Sequence, residues 1–144
     1  TDPIGSADFF ATQSAVHGWR LGEWEQRSPR SVGVPEATDM AGWSRAFGIA
    51  ESADSATARL ACWYQVLAVH LAARYRRHLM LTSDVADAGV ARWLGIAQRD
   101  VLDGVVRGAT ISAGSVVSAG PGPSAAEVAD VVAACLVPLL ELGF

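Results

Sequence analysis

Lysine is absent from this 144-residue sequence, and so is asparagine; all 11 basic residues are arginine. Without lysine there is no Schiff base, no lysine general base and no P-loop. Any anion must be recognised by arginine, histidine or backbone N–H groups. The skew matches the codon usage of a GC-rich genome of the actinobacterial kind, and its chemical consequences are the same whatever its origin. Cysteine is scarce. Cys62 and Cys135 lie far apart, with no CxxC and no Cys/His cluster at zinc spacing. Both sit in apolar runs, where a free thiol behaves as a small hydrophobe; a disulfide between them is the alternative. Charge is also sparse, at 18% of residues, with a net charge of −4. That disfavours a general phosphate-binding surface, although it leaves room for a local basic patch. The longest apolar run, VVAACLVPLL, falls short of the roughly 20 residues that span a bilayer. No basic stretch precedes the apolar residues of TDPIGSADFF, so no signal peptide and no membrane association are expected, and the default location is the cytoplasm.

What is abundant is apolar. Hydrophobic residues make up 51% of the chain, which excludes an intrinsically disordered polymer. The length suits one domain, 1–144, able to bury roughly 68–70% of its unfolded surface. The expected fold is mainly α: a bundle of five or six helices around a long central helix.

Helix signals recur along the chain. Ser6 or Asp8 can cap a first helix that carries Phe9, Phe10 and Val16 and ends at His17-Gly18-Trp19. Pro29, Gly33 and Pro35 make 28–35 a loop. Pro35 suits the first turn of a second helix, Glu36 to Phe47, with Gly48 as its C-cap. The clearest helix runs from a Ser52 or Ser55 cap to about Leu81, with no Gly or Pro after its start. Leu60, Trp63, Leu67, Leu71, Tyr75 and Leu79 recur at three and four residues and form its apolar stripe. Two shorter helices, 84–94 and 97–107, are expected to join at Gly95. Residues 109–119 mix Ile111, Val116 and Val117 with Ser, Gly and Ala, which leaves a short β hairpin or an irregular loop open. Ser124 and Glu127 form a capping box for a last helix, in which Pro138 should cause a kink or a weak point.

Two constellations carry candidate chemistry. On the central helix, His70, Arg74, Arg77 and His78 can share a side and hold an anionic small molecule, against the plain alternative of a solvated cationic helix end. Trp63 and Tyr64 point to two sides of that helix, so at least one can line a pocket. His70 and His78 are two turns apart, too far to share a metal without a third element, and no metal or cofactor is expected. The second constellation is GVARWLGIAQRDVLDGVVRG, where Ala91, Gly95 and Val101 have helix-turn-helix spacing. There Arg92, Gln98 and Arg99 would meet DNA, although Asp100 and Asp103 on the same helix oppose phosphate. A third alternative is a helical module that dimerises through an apolar face. No GxSxG, HExxH or GxGxxG motif is present, so catalysis has no positive signal.

The run ARLACWYQVLAVHLA, with Trp63-Tyr64 in a long apolar helix, resembles the central helix of the FhuF-like ferric siderophore reductases. AEVADVVAACLVPLLELGF, with Leu136-Val137-Pro138-Leu139, is similar to a later helix of that family at a comparable interval. The likeness covers residues 40–144. That family also carries four C-terminal cysteines around a two-iron, two-sulfur cluster, and these residues contain no such set. The resemblance therefore implies the helical, siderophore-facing part without the electron donor. The leading expectation is a non-catalytic ligand-binding helical domain, ferric-siderophore related, with the DNA-binding regulator as runner-up.

Overall fold

The computed structural model describes residues 4–27, 40–83, 85–118 and 124–141. The chain divides into two compact units, Thr1–Glu36 and Ala37–Phe144. Every regular element among the described residues is helical, as a helical bundle requires. None of these helices is long and apolar enough to cross a membrane.

The first unit is built on α1, Ile4–Arg27. It runs past the end expected at His17-Gly18-Trp19. A helical glycine costs only about 1 kcal/mol relative to alanine, and nothing near Gly18 or Gly22 forces a turn. Local bonds tie the helix together. The Thr12 hydroxyl donates to the Asp8 carbonyl at 2.7 Å, and Arg27 pairs with Glu23 one turn back. The loop expected at 28–35, and Pro35 with it, lie outside the described residues.

The second unit begins with α2, Met40–Ser52. It runs on to Ser52, past the expected end at Phe47, so Gly48 lies inside it rather than capping it; the expected start at Glu36 lies outside the described residues. Then comes the long central helix, at the expected boundaries but with an unforeseen interior. It starts as α3, Ala56–Ala61, capped by the Ser55 hydroxyl, which accepts the Ala58 N–H at 3.0 Å. It ends as α4, Ala68–Leu81, where Thr82 turns extended. Between them, Cys62–Leu67 form a π turn, with the Ala68 N–H reaching back five residues to the Trp63 carbonyl. The flanking residues keep right-handed helical dihedrals, so α3, the π turn and α4 are one unbroken rod.

A π turn inserts an extra residue and rotates everything after it by roughly 100°. That rephases the expected stripe beyond the turn, and the stripe is only partly interior before it as well. Leu67 is buried, whereas Leu60, Trp63, Leu71, Tyr75 and Leu79 are half-buried. The fully buried positions include Ala58, Ala61, Cys62, Tyr64, Val66, Ala68 and Ala72.

Next is α5, Ala88–Ser118, a single helix where two helices and a hairpin or loop were expected. Gly95 has open space around it and continues the helix. The β-branched residues of 109–118 are weak helix formers, but their penalty is a few tenths of a kcal/mol each and context overrides it. The Thr110 hydroxyl also folds back onto the Val106 carbonyl at 3.0 Å, a bond that only a helical backbone offers. Residues 119–123 lie outside the description. The last helix, α6, spans Ala125–Leu140. Its capping box is formed: the Ser124 hydroxyl accepts the Glu127 N–H at 3.2 Å, and Glu127 Oε2 accepts the Ser124 N–H at 2.6 Å. The helix continues through the buried Pro138.

Within this unit α2 packs on α6 and α4 on α5, with the π turn touching α2, α5 and α6. The core joins Trp43, Ala46 and Ala50 of α2 to Cys62, Val66 and Leu67 of the π turn and to Cys135 and Leu139 of α6. An exposed Arg45–Glu141 pair, 2.6 Å apart, links α2 to the end of α6.

Candidate ligand-binding site

The π turn sends two neighbouring aromatic residues to different helices. Trp63 turns toward α2, where its ring centroid lies 5.6 Å from that of Phe47. Phe47 in turn lies 6.1 Å from Trp43, one helical turn earlier on α2. The guanidinium of Arg74, on α4, sits 5.8 Å from the Trp43 ring. The result is a row: Trp63, Phe47, Trp43, Arg74. Trp43 is buried, Phe47 is 37% exposed, and Trp63 and Arg74 are half-buried, so the row is open to solvent at Trp63, Phe47 and Arg74 and closed at Trp43 between Phe47 and Arg74. The indole Nε1 of Trp43 is buried and meets no acceptor among the described residues, so packing and the cation hold this ring.

Tyr64 has the opposite surroundings. It is only 3% exposed, and its ring lies flat on the backbone of Gly108 in α5, where an added Cβ would overlap it. Burial pushes its phenol pKa up to about 12. It belongs to the packing of the π turn on α5 and not to the row.

The remaining expected ligand-binding residues extend from Arg74. His70 is one turn before it and half-buried; in the Nδ1–H tautomer its ring donates to the Val66 carbonyl at 2.9 Å. That bond fixes the ring beside the π turn and leaves Nε2 on the other edge. Arg77 and His78, three and four residues past Arg74, are exposed. Trp63, His70 and Arg74 are thus held by contacts, while Arg77 and His78 are not fixed by any contact in the core.

No family model, curated protein or solved structure matches this chain. The row and its cationic end therefore stand on their own geometry. Two of its members, Trp43 and Phe47, were not among the expected site residues. Their signal in the sequence is an aromatic pair at i and i+4 inside the expected second helix, but nothing in the sequence shows that this pair meets Trp63 and Arg74.

The alternative DNA-reading residues fare differently. Arg92 and Arg99 are exposed on α5, but Gln98 turns inward and its Nε2 donates to the Ala72 carbonyl of α4 at 3.5 Å. The helix-turn-helix geometry itself is not formed, because Gly95 lies within a continuous α5. A different concavity, about 320 Å³, opens between the start of α3 and α6 and is lined by Asp54, Ser55, Ala58, Glu127, Asp130 and Val131. Hydrogen bonds from Ser124 hold the Glu127 carboxyl below its ordinary pKa. Three carboxylates make that hollow a poor seat for an anion.

Proposed function

We propose that this chain is a non-catalytic binding domain for an anionic, planar small molecule, with ferric siderophore chelates as the ligand class that the resemblance of its central helix suggests. The ligand lies over the exposed parts of the Trp63–Phe47–Trp43–Arg74 row. A planar chelating group stacks on the exposed part of Phe47 and Trp63, and its negative charge faces Arg74. Arg77, one turn on, adds a second guanidinium, and His70 and His78 flank the pair. The observation that carries this reading is the Arg74 guanidinium placed 5.8 Å from the Trp43 ring, at the end of a row of three tilted aromatic rings. Guanidinium groups recognise carboxylate and chelate oxygens through two parallel N–H bonds, and the absence of lysine leaves this task to arginine.

Tryptophan fluorescence reads the site directly, because Trp43 and Trp63 both belong to the row. Titration with ferric hydroxamate and ferric catecholate siderophores should quench the emission saturably. The Arg74→Ala/Arg77→Ala double variant should need at least about tenfold more ligand, equivalent to losing one charge-assisted contact of about 1.4 kcal/mol. Superimposable curves for the two proteins would remove the arginine site. An absence of saturable quenching would remove the ligand class.

A further inference from the structure

Cys62 and Cys135 are the two cysteines of the sequence, and they meet in the core of the Ala37–Phe144 unit. One belongs to the π turn and the other to α6. Both are fully buried and both are free thiols. The Cys62 sulfur lies 3.7 Å from the Val131 carbonyl oxygen. In an α-helix that carbonyl accepts the N–H four residues later, which is that of Cys135. The Cys62 sulfur therefore lies against the turn of α6 that ends at its counterpart. The Cys62 thiol donates to the Val131 carbonyl, and the Cys135 thiol donates to the Ala46 carbonyl of α2 at 3.4 Å.

We propose that Cys62 and Cys135 form a reversible disulfide that ties the π turn to α6 under oxidising conditions. The co-reactant is a small disulfide such as oxidised glutathione. The Cys62 thiolate attacks one of its sulfurs; the external S–S bond breaks, a mixed disulfide forms and one reduced thiol leaves. The Cys135 thiolate then attacks Cys62 sulfur and displaces the second reduced thiol. One external S–S bond and two protein S–H bonds become one protein S–S bond and two external S–H bonds, with two electrons passing to the oxidant.

The order follows from the surroundings. When Cys62 ionises it accepts a hydrogen bond from Cys135, which partly offsets the upward push of burial. The Cys135 thiol is pushed up to about 12, by burial first and by its neighbour's charge second. Cys62 is therefore the first nucleophile. Burial keeps both thiols protonated in the closed core, so exchange is slow there and proceeds when α6 opens. Once formed, the bond is shielded from reductant by the same core.

The test takes the full chain, unfolded in urea and refolded into glutathione buffers of graded redox ratio, so that access to the core does not limit the outcome. Acid quenching, alkylation and mass measurement then report the thiols. The expected product is a monomer about 2 Da lighter than the reduced chain with no alkylated cysteine. It should form at a ratio at least about a hundredfold less oxidising than the same chain needs in about 8 M urea, because the bond closes a loop of roughly 70 residues that the fold has already closed. Its Tm should rise by about 10 °C and fall back when dithiothreitol is added. Cys135→Ala should yield only free or glutathione-capped Cys62. Two alkylated or glutathione-capped thiols at every ratio would overturn the proposal. So would disulfide-linked dimers in place of the monomer, or equal ratios in buffer and urea.

Discussion

Trp63 and Tyr64 are adjacent in sequence, belong to one π turn and have opposite surroundings. On the Trp63 side the neighbours are aromatic and partly exposed, and they end in the Arg74 guanidinium. On the Tyr64 side the neighbour is a glycine backbone, and the ring is sealed from solvent. The difference teaches how one helix can be both a core and a surface. The missing side chain of Gly108 lets α5 approach closely enough to bury the phenol ring. On the other side, Trp63 meets the Phe47 ring and stays half-buried. The sealed Tyr64 ring should therefore matter more to stability than the half-open Trp63 ring, and binding is expected on the Trp63 side.

The largest effect should come from deleting the two rings in turn. Removing a fully buried aromatic side chain typically costs about 3–5 kcal/mol, so Tyr64→Ala should lose stability in that range by urea titration. Trp63→Ala leaves a half-open site that water can enter and should cost about 1–2 kcal/mol. Equal losses would mean that the two sides are not distinct.

The glycines of α5 sharpen the contrast, because substitution at two of them should have opposite signs. Gly108→Ala gains about 1 kcal/mol of helix propensity but drives a methyl group into the Tyr64 ring, and overpacking of that kind costs about 1–3 kcal/mol or more. The net change should be destabilising. Gly95→Ala meets nothing within 4 Å and should stabilise by about 0.5–1 kcal/mol. A Tm that rises in both variants would show that Tyr64 yields easily.

Alkaline pH probes the same buried side. Tyr64 and Cys135 are both pushed up to about 12 by burial, and Cys62 is pushed up as well. A raised pKa keeps the folded group protonated while the unfolded group releases its proton. The stability these groups contribute is thus complete below their unfolded pKa values and is lost as pH rises through about 9 to 12. Thermal melts should show Tm falling across that window. Tyr64→Phe should flatten part of the fall, and an unchanged slope would place the phenol in contact with water.

Much of this architecture was legible in the sequence, and the failures have a common cause. The Ser55 cap, the end near Leu81 and the Ser124–Glu127 box were readable because each is a local bond between a side chain and a backbone N–H. The ends assigned at Gly18, Gly48 and Gly95 were wrong because a glycine stops a helix only where the backbone must turn. The apolar stripe was partly misphased because nothing local in CWYQVL announces a π turn. Of the candidate site, Trp63, His70 and Arg74 were foreseeable from helical spacing. Trp43 and Phe47 were not, because their part depends on how α2 meets the π turn.

The smallest expected effect is the most telling about the site. Arg74 lies 5.8 Å from the Trp43 ring and is half-buried, a setting in which a cation–π contact contributes about 0.5–1 kcal/mol. Arg74→Ala should lower stability by no more than that, since the arginine's aliphatic stem covers only part of the row. Arg74→Met, which keeps the stem and removes the charge, should recover only the part of the lost stability that the stem's packing supplies and none of the lost affinity for a ferric siderophore. That split separates an arginine that packs from one that binds. A variant as stable as wild type and equally avid would leave the guanidinium without a part in the site. A loss above about 2 kcal/mol would instead make Arg74 a structural member of the core, and the boundary between the two sides of the central helix would have to move outward past it.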